Sequence, residues 1–308
     1  MLFDLTDVLS STLRFGTPIL FAAMAGLLCE RVGIVNIGLE GMMLISAFFG
    51  VLGSYLTGSA WAGLALAIVS GILVAVLHAV STIRFGANQI ISGIAINMLA
   101  LGVTGYLLVQ IYGTPGGTPQ VQGFSATPIP VLRDIPFIGP ALFGQSWFVW
   151  LAPLLAVAIW WFLSRTTVGL RIRASGEQPQ VLEASGVSVL PVRYITVAVS
   201  GILCGLGGAY LSLSMLNSFS ENMTAGRGFI ALAAVIFGGW KAPRVLAAAL
   251  FFGFASAMII RVPQDLLDPQ LLYTVPHAVT IIALVIFGRG STAPASVGQP
   301  YRSGTQPA

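Results

Sequence analysis

FGTPILFAAMAGLLCERVGIVNIGLEGMMLISAFFGVLGSYLT, residues 15–57, decides the architecture. It holds two apolar runs, 15–30 and 33–57, in a chain where about 20 apolar residues are needed to cross a bilayer as a helix. Arg31, Gly33, Asn36, Gly38, Glu40 and Gly41 lie between and inside these runs. Polar groups inside a membrane are expensive. Glycines weaken a helix and let a second backbone come close. The stretch therefore predicts a broken or re-entrant membrane helix. Asn36 and Glu40 are four residues apart and share one helical face. Two readings of that face stay open. The pair lines an aqueous path or cytoplasmic gate, or Glu40 pairs with Arg31 or a backbone group near the cytoplasmic end and only braces the fold.

The rest of the chain is built in the same way. Its 308 residues are 56% hydrophobic and 8% charged, with a mean hydropathy of +0.91. Soluble domains carry roughly 25% charged residues. With 14 basic and 10 acidic side chains this chain cannot cover itself with a water-exposed surface. The prediction is an all-α integral membrane protein. Nine spans can be drawn: 15–30, 33–57, 60–82, 88–112, 146–164, 192–216, 228–240, 244–262 and 273–288. The run 228–240 is short for a full crossing, so about nine helices, between eight and ten, are expected. Residues 1–290 read as a single transmembrane domain. Within it, 113–145 contains six prolines and six glycines and reads as an irregular extracytoplasmic loop. The tail 291–308, rich in Ser, Pro, Gly and Gln, reads as disordered. Asp4 and Asp7 stand where a secretory signal would carry positive charge, so the first helix is expected to stay in the protein.

The net charge of +4 comes from one lysine and 13 scattered arginines, with no basic run to track a phosphate backbone. Nucleic acid is not an expected partner. The cations instead set topology. Placing 165–193 in the cytoplasm puts Arg165, Arg171, Arg173 and Arg193 inside, together with Arg31, Arg84, Lys241, Arg244, Arg289 and Arg302. Arg14, Arg133, Arg227 and Arg261 fall outside. The N-terminus is then outside and the C-terminus cytoplasmic.

Other polar and small residues mark helix faces. Gln89, Gly93 and Asn97 form a stripe, continued by Thr104, suited to a translocation path or to hydrogen bonds between helices. Gly201 and Gly205 make a GxxxG pair, read as tight packing. Glu221 and Arg227 could pair at the outer surface, and Asn222-Met223-Thr224 is a weak glycosylation sequon. Spans 15–30 and 192–216 are each followed by a polar, glycine-containing stretch and an apolar helix, and they run in opposite directions. That arrangement suggests an inverted repeat with interrupted helices, a common transporter design.

The catalytic motifs of several classes are missing. The sequence has no GxxxxGK[ST], no HExxH and no Ser/His/Asp set. No metal site is expected. His78 and His277 read as satisfied core residues, and Cys29 and Cys204 as small buried hydrophobes.

In RTTVGLRIRASGEQPQVLEASGVSVLPVR, residues 165–193, VLEASGV reads as a short helix with Gln178-Pro179 at its start and Gly186 at its end. Lying between two spans, it is placed to dock on a soluble partner. ERVGIVNIGLEGMML (30–44), GLRIRASGEQPQVLEASGVSVLPVRY (169–194), SGILCGLGGAYLSL (200–213), NMTAGRGFIALAAVIFGGW (222–240) and GQPYR (298–302) resemble ABC-transporter permeases of the branched-chain amino acid/ribose type, most closely the simple sugar/nucleoside branch. The resemblance implies a multi-pass subunit of the bacterial inner (plasma) membrane with no ATPase site or cofactor of its own. It also implies three partners. These are a second, homologous permease, a cytoplasmic ATPase with two fused nucleotide-binding halves that binds the ATP, and an extracytoplasmic substrate-binding lipoprotein. The coupling element maps onto Gly176, Glu177, Glu183, Ala184 and Gly186. One departure is visible. Many ABC permeases carry EAA with a glycine four residues after the second alanine, whereas Glu183-Ala184-Ser185 is followed at once by Gly186. Asn36, Glu40, Gln89 and Asn97 remain candidates for the path or gate. The expected cargo is a neutral polar solute, a nucleoside or simple sugar with nucleoside favoured. The alternative is a stand-alone secondary transporter or channel for a small polar metabolite.

Overall fold

The computed structural model describes residues 5–125, 143–261 and 292–301, with the single positions 139, 278, 281 and 285. Among the described residues ten named α-helices form: α1 Leu5–Arg31, α2 Leu39–Thr57, α3 Ala60–Ala79, α4 Gln89–Tyr112, α5 Trp147–Arg165, α6 Thr167–Glu177, α7 Pro179–Ala184, α8 Val189–Tyr210, α9 Arg227–Phe237 and α10 Ala242–Ile259. Single π-turns extend α3 to Arg84 and α8 to Met215. Among the described residues seven helices are long and apolar enough to span a membrane: α1, α2, α3, α4, α5, α8 and α10. These seven coincide with seven of the nine predicted spans. Apart from the single positions 278, 281 and 285, the ninth predicted span, 273–288, lies outside the described residues, as do 126–138, His277, Arg289 and Arg302. The seventh is the 11-residue α9. At 1.5 Å per residue it covers about 16 Å, half of a hydrocarbon core of about 30 Å.

Helix packing follows the small residues. α3 lies along α8, and α10 along α1. At the first crossing, a Cβ on Gly201 would stand 2.6 Å from the Gly71 carbonyl oxygen and 2.8 Å from Ile72 Cα. At the second, a Cβ on Gly253 would stand 2.6 Å from Gly16 Cα. Gly201 and Gly205 therefore act as the packing surface that their spacing predicts. Alanine, glycine and serine at these contacts bring backbones together where lipid supplies no hydrophobic drive between helices.

At the opposite end from Arg31, residues 117–124 run along 213–220. Thr118 N donates to Phe219 O at 2.9 Å, Val121 N to Asn217 O at 2.8 Å and Phe124 N to Leu213 O at 2.6 Å. The described part of the predicted 113–145 loop is therefore tied down over the π-turn that ends α8.

Two corrections concern α6 and the tail. Residues 167–177, outside the short helix expected at VLEASGV, form α6, capped by the Thr166 hydroxyl accepting from Gly169 N at 3.0 Å. The tail is held in place over 292–301 rather than disordered. Ser296 is buried, and its backbone N–H donates to Gly176 O at 2.9 Å.

Candidate functional site

The break predicted at 33–41 is real and sits inside the helix bundle. α1 ends at Arg31. Residues 32–38 then carry the chain back into the protein before α2 starts at Leu39. Gly33 has φ +94°, a left-handed conformation open to glycine. Gly41 N donates to Asn97 Oδ1 at 2.8 Å, and Asn97 Nδ2 donates to Ile37 O at 3.1 Å. Asn97 is eight residues into α4, so the start of α2 stands about 12 Å along that helix from its N-terminal end.

All four residues predicted for the path or gate gather on this break. Asn36 is fully buried; its Oδ1 accepts from Gly38 N at 3.1 Å and its amide faces Cys29 Sγ and Met42 Sδ. Gln89 Oε1 accepts from Val35 N at 2.6 Å. His78, the expected core histidine, bridges Val35 O and Ser92 Oγ, each at 3.0 Å. Each side chain satisfies a backbone group that the missing helix turn leaves exposed, and an unpaired buried backbone group is costly.

Glu40 has a partner that its neighbourhood in sequence does not reveal. Its two oxygens accept from Gly226 N at 2.7 Å and Gly228 N at 2.6 Å, the amides of the N-cap and of the second residue of α9. Arg31 is not its partner. Glu40 itself lies in the first turn of α2, so the N-terminal ends of two helices meet at one carboxylate. Both carry the positive end of a helix dipole, which favours negative charge there. Gly228 is required by this approach, since a Cβ would stand 2.6 Å from Glu40 Cα. Arg227 is corrected from the outer surface to this junction. It does not pair with Glu221, and its Nη1 donates to Met223 O and Thr224 O at 3.0 Å each.

Between the π-turn that ends α8 and this junction runs an irregular segment, 216–226. Asn222 and Ala225 in it adopt positive φ and are exposed, as is Phe229 on the first turn of α9. Non-helical backbone at membrane depth is tolerated where it is buried in protein or lines water. Sequence reasoning missed Asn222 and Phe229 as candidates for a path, although both stand in the polar-then-apolar stretch that marked the second break.

The predicted coupling residues are built on the far end of the same break. Gly176 is buried against the Arg31 carbonyl, and Ser175 Oγ donates to Val32 O at 3.2 Å. Glu177 lies 4.0 Å from Arg31 Nη1 and accepts from Ala295 N at 3.2 Å. Glu183 accepts from the Tyr301 hydroxyl. Burial, then the Glu183 carboxylate, pushes the Tyr301 phenol up to about 12, which keeps it a donor. Gly186 ends α7 with φ +84°. Ala184, Ser185 and Gly186 are exposed, and so is Val181 at 61% on the same short helix. Arg193, fully buried, is enclosed by Ser175 O at 3.3 Å, Ser296 Oγ at 3.4 Å and the Tyr301 ring at 5.5 Å. The tail thus ties α6, α7 and α8 to the start of the break, where Gly298 N donates to Gly33 O at 3.3 Å.

Comparison with known proteins gives concordant results. Residues 8–284 match the family described as branched-chain amino acid transport system / permease component. The guanosine ABC transporter permease protein NupQ of Bacillus subtilis is 38% identical, covering 98% of this chain and 99% of its own. The nucleoside ABC transporter permease protein NupC of Lactococcus lactis is 33% identical over 96% of each chain. TsgC13 of Haloferax volcanii, a protein named for glucose transport by an ABC permease, is 33% identical over 90% of each chain.

Proposed function

The chain belongs to the branched-chain amino acid transport system / permease component family, as a multi-pass ABC transporter permease of the plasma membrane, and we propose that its importer carries a nucleoside. The observation that carries the reading is the 38% identity, across nearly the full length of both chains, to a guanosine permease. The glucose-named relative keeps a simple sugar as the second cargo. A stand-alone carrier is not favoured. The chain is a transport subunit whose ATP is bound by a partner ATPase with two fused halves. A second, homologous permease and an extracytoplasmic binding lipoprotein complete the importer. The N-terminus is outside and the C-terminus cytoplasmic.

The mechanism rests on two interrupted helices. α1, break, α2 and α3 correspond to α8, break, α9 and α10 as an inverted repeat. Two facts support this: α3 packs on α8 and α10 on α1, and both crossings are made at paired glycines. The two breaks meet at Glu40. Asn36, Glu40, Gln89 and Asn97 brace that junction instead of binding solute, since their hydrogen-bonding atoms are turned to backbone groups. The solute passes the exposed face of 222–229, where Asn222 can hydrogen-bond a neutral ligand and Phe229 can stack on a base. Glu177, Glu183, Ala184 and Gly186 form the ATPase-coupling surface, with Val181 as its apolar contact, and buried Gly176 seats that surface against the end of α1. A motion of α7 reaches the break through Tyr301, Ser296 and Gly33, so ATP-driven closure can bias two states of the membrane region. Thermal-shift screening of the partner binding protein tests the cargo. Stabilisation by nucleosides and not by pentoses or glucose is expected, and stabilisation by an amino acid alone would refute it.

A further inference from the structure

The proposed cytoplasmic end of the bundle holds a cluster of cations beside the coupling surface, and only Arg31 among them approaches a coupling residue, Glu177. Arg31 at the end of α1, Arg173 on α6, and Lys241 and Arg244 beside the start of α10 line one cleft of about 280 Å³, with Trp160 and Leu163 of α5 as its apolar wall. Little negative charge faces them. Glu177 approaches Arg31 only to 4.0 Å and is half exposed. Glu30 is taken by the indole N–H of Trp240. Arg31 is partly spent on the Trp240 carbonyl, which accepts from its Nε at 2.9 Å. Arg173 Nε is buried and has no hydrogen-bond partner, and the charges of Arg173 and Arg31 repel. Lys241 and Arg244 are exposed and have no acceptor among the described residues.

We propose that this cleft binds the phosphate headgroup of an anionic phospholipid from the cytoplasmic leaflet. A buried, unpartnered guanidinium nitrogen beside three more cations calls for an anion with several acceptor oxygens. The wall decides which anion. Leu154, Val157, Trp160 and Trp161 on α5 are 65%, 52%, 46% and 58% exposed, so the helix beside the cleft presents an apolar face on which acyl chains can lie. Tryptophans at the headgroup level and basic pockets between cytoplasmic helix ends are how membrane proteins hold such lipids.

The test is native mass spectrometry of the full chain in detergent, titrated with phosphatidylglycerol, phosphatidylcholine or inorganic phosphate. Retention of phosphatidylglycerol over phosphatidylcholine is expected. Each cation near a membrane surface contributes about fivefold, so Lys241→Gln with Arg244→Gln is expected to weaken phosphatidylglycerol binding by about 25-fold. Lys241→Arg with Arg244→Lys is expected to preserve it. Unchanged lipid affinity in the Gln variant would overturn the proposal. So would displacement of the lipid by an equal concentration of inorganic phosphate, which would mark a free-anion site. Loss of ATPase assembly with lipid retention intact would assign the cleft to the protein partner and overturn it equally.

Discussion

Replacing Glu40 by Gln keeps the shape of the junction between α2 and α9 and removes its charge. Glu40 accepts from two backbone amides, at 2.7 and 2.6 Å. A glutamine has one acceptor oxygen, so one of the two amides must face an N–H donor. A hydrogen bond to a charged group contributes about 1.5–3 kcal/mol, and an orphaned buried donor costs about 1–3 kcal/mol. The negative charge at each helix N-terminus adds about 0.3–1 kcal/mol. These contributions overlap at the same amide, so the expected loss is about 3 kcal/mol. The purified chain is unfolded by dodecyl sulfate titration, with Glu177→Gln as the reference. Glu177 is 51% exposed and 4.0 Å from its partner, so its loss is expected to cost at most about 1 kcal/mol. If Glu40→Gln unfolds together with Glu177→Gln, the carboxylate does not hold the two breaks together.

Other consequences follow from the packing and from the cytoplasmic surface. Gly201→Leu places a side chain where even a Cβ stands 2.6 Å from the Gly71 carbonyl oxygen; a loss of about 3 kcal/mol or a failure to accumulate in the membrane is expected, read by membrane-fraction immunoblot. Glu183→Lys, or Gly186→Pro at φ +84°, is expected to abolish uptake while insertion stays normal; normal ATP-coupled uptake in both would remove α7 from the coupling path. Deleting 292–308 removes the Ser296 bonds to Ser175 O at 3.1 Å and Gly176 O at 2.7 Å. Uptake is expected to fall with insertion retained, measured in the same cells.

Much of this fold is legible locally because a membrane helix is a local object. Apolar length alone places α3, α4, α5 and α10 to within a few residues, and the GxxxG spacing at Gly201 identifies a real crossing. The break at 33–41 is also legible, because Asn36 and Glu40 could not stand in a lipid-facing helix. What the pattern could not supply is partners far along the chain. Glu40 is answered by Gly226 and Gly228, 186 and 188 residues away. Ser296 is answered by Gly176, 120 residues away, so a tail with the composition of a disordered segment is ordered by contacts that composition does not encode. α6 was obscured because its glycines and its β-branched Thr167, Val168 and Ile172 lower helix propensity, while Gly169 and Gly176 are needed for close approach to α5 and to the end of α1.

The most direct test of the central claim is uptake of radiolabelled guanosine by cells carrying the complete transport system with and without this chain. Uptake is expected to require the chain and cellular ATP, to survive a protonophore that leaves ATP intact, and to be competed by unlabelled nucleosides and not by ribose or glucose. Uptake that collapses with the proton gradient while ATP is maintained, or that only glucose can compete, would contradict the account.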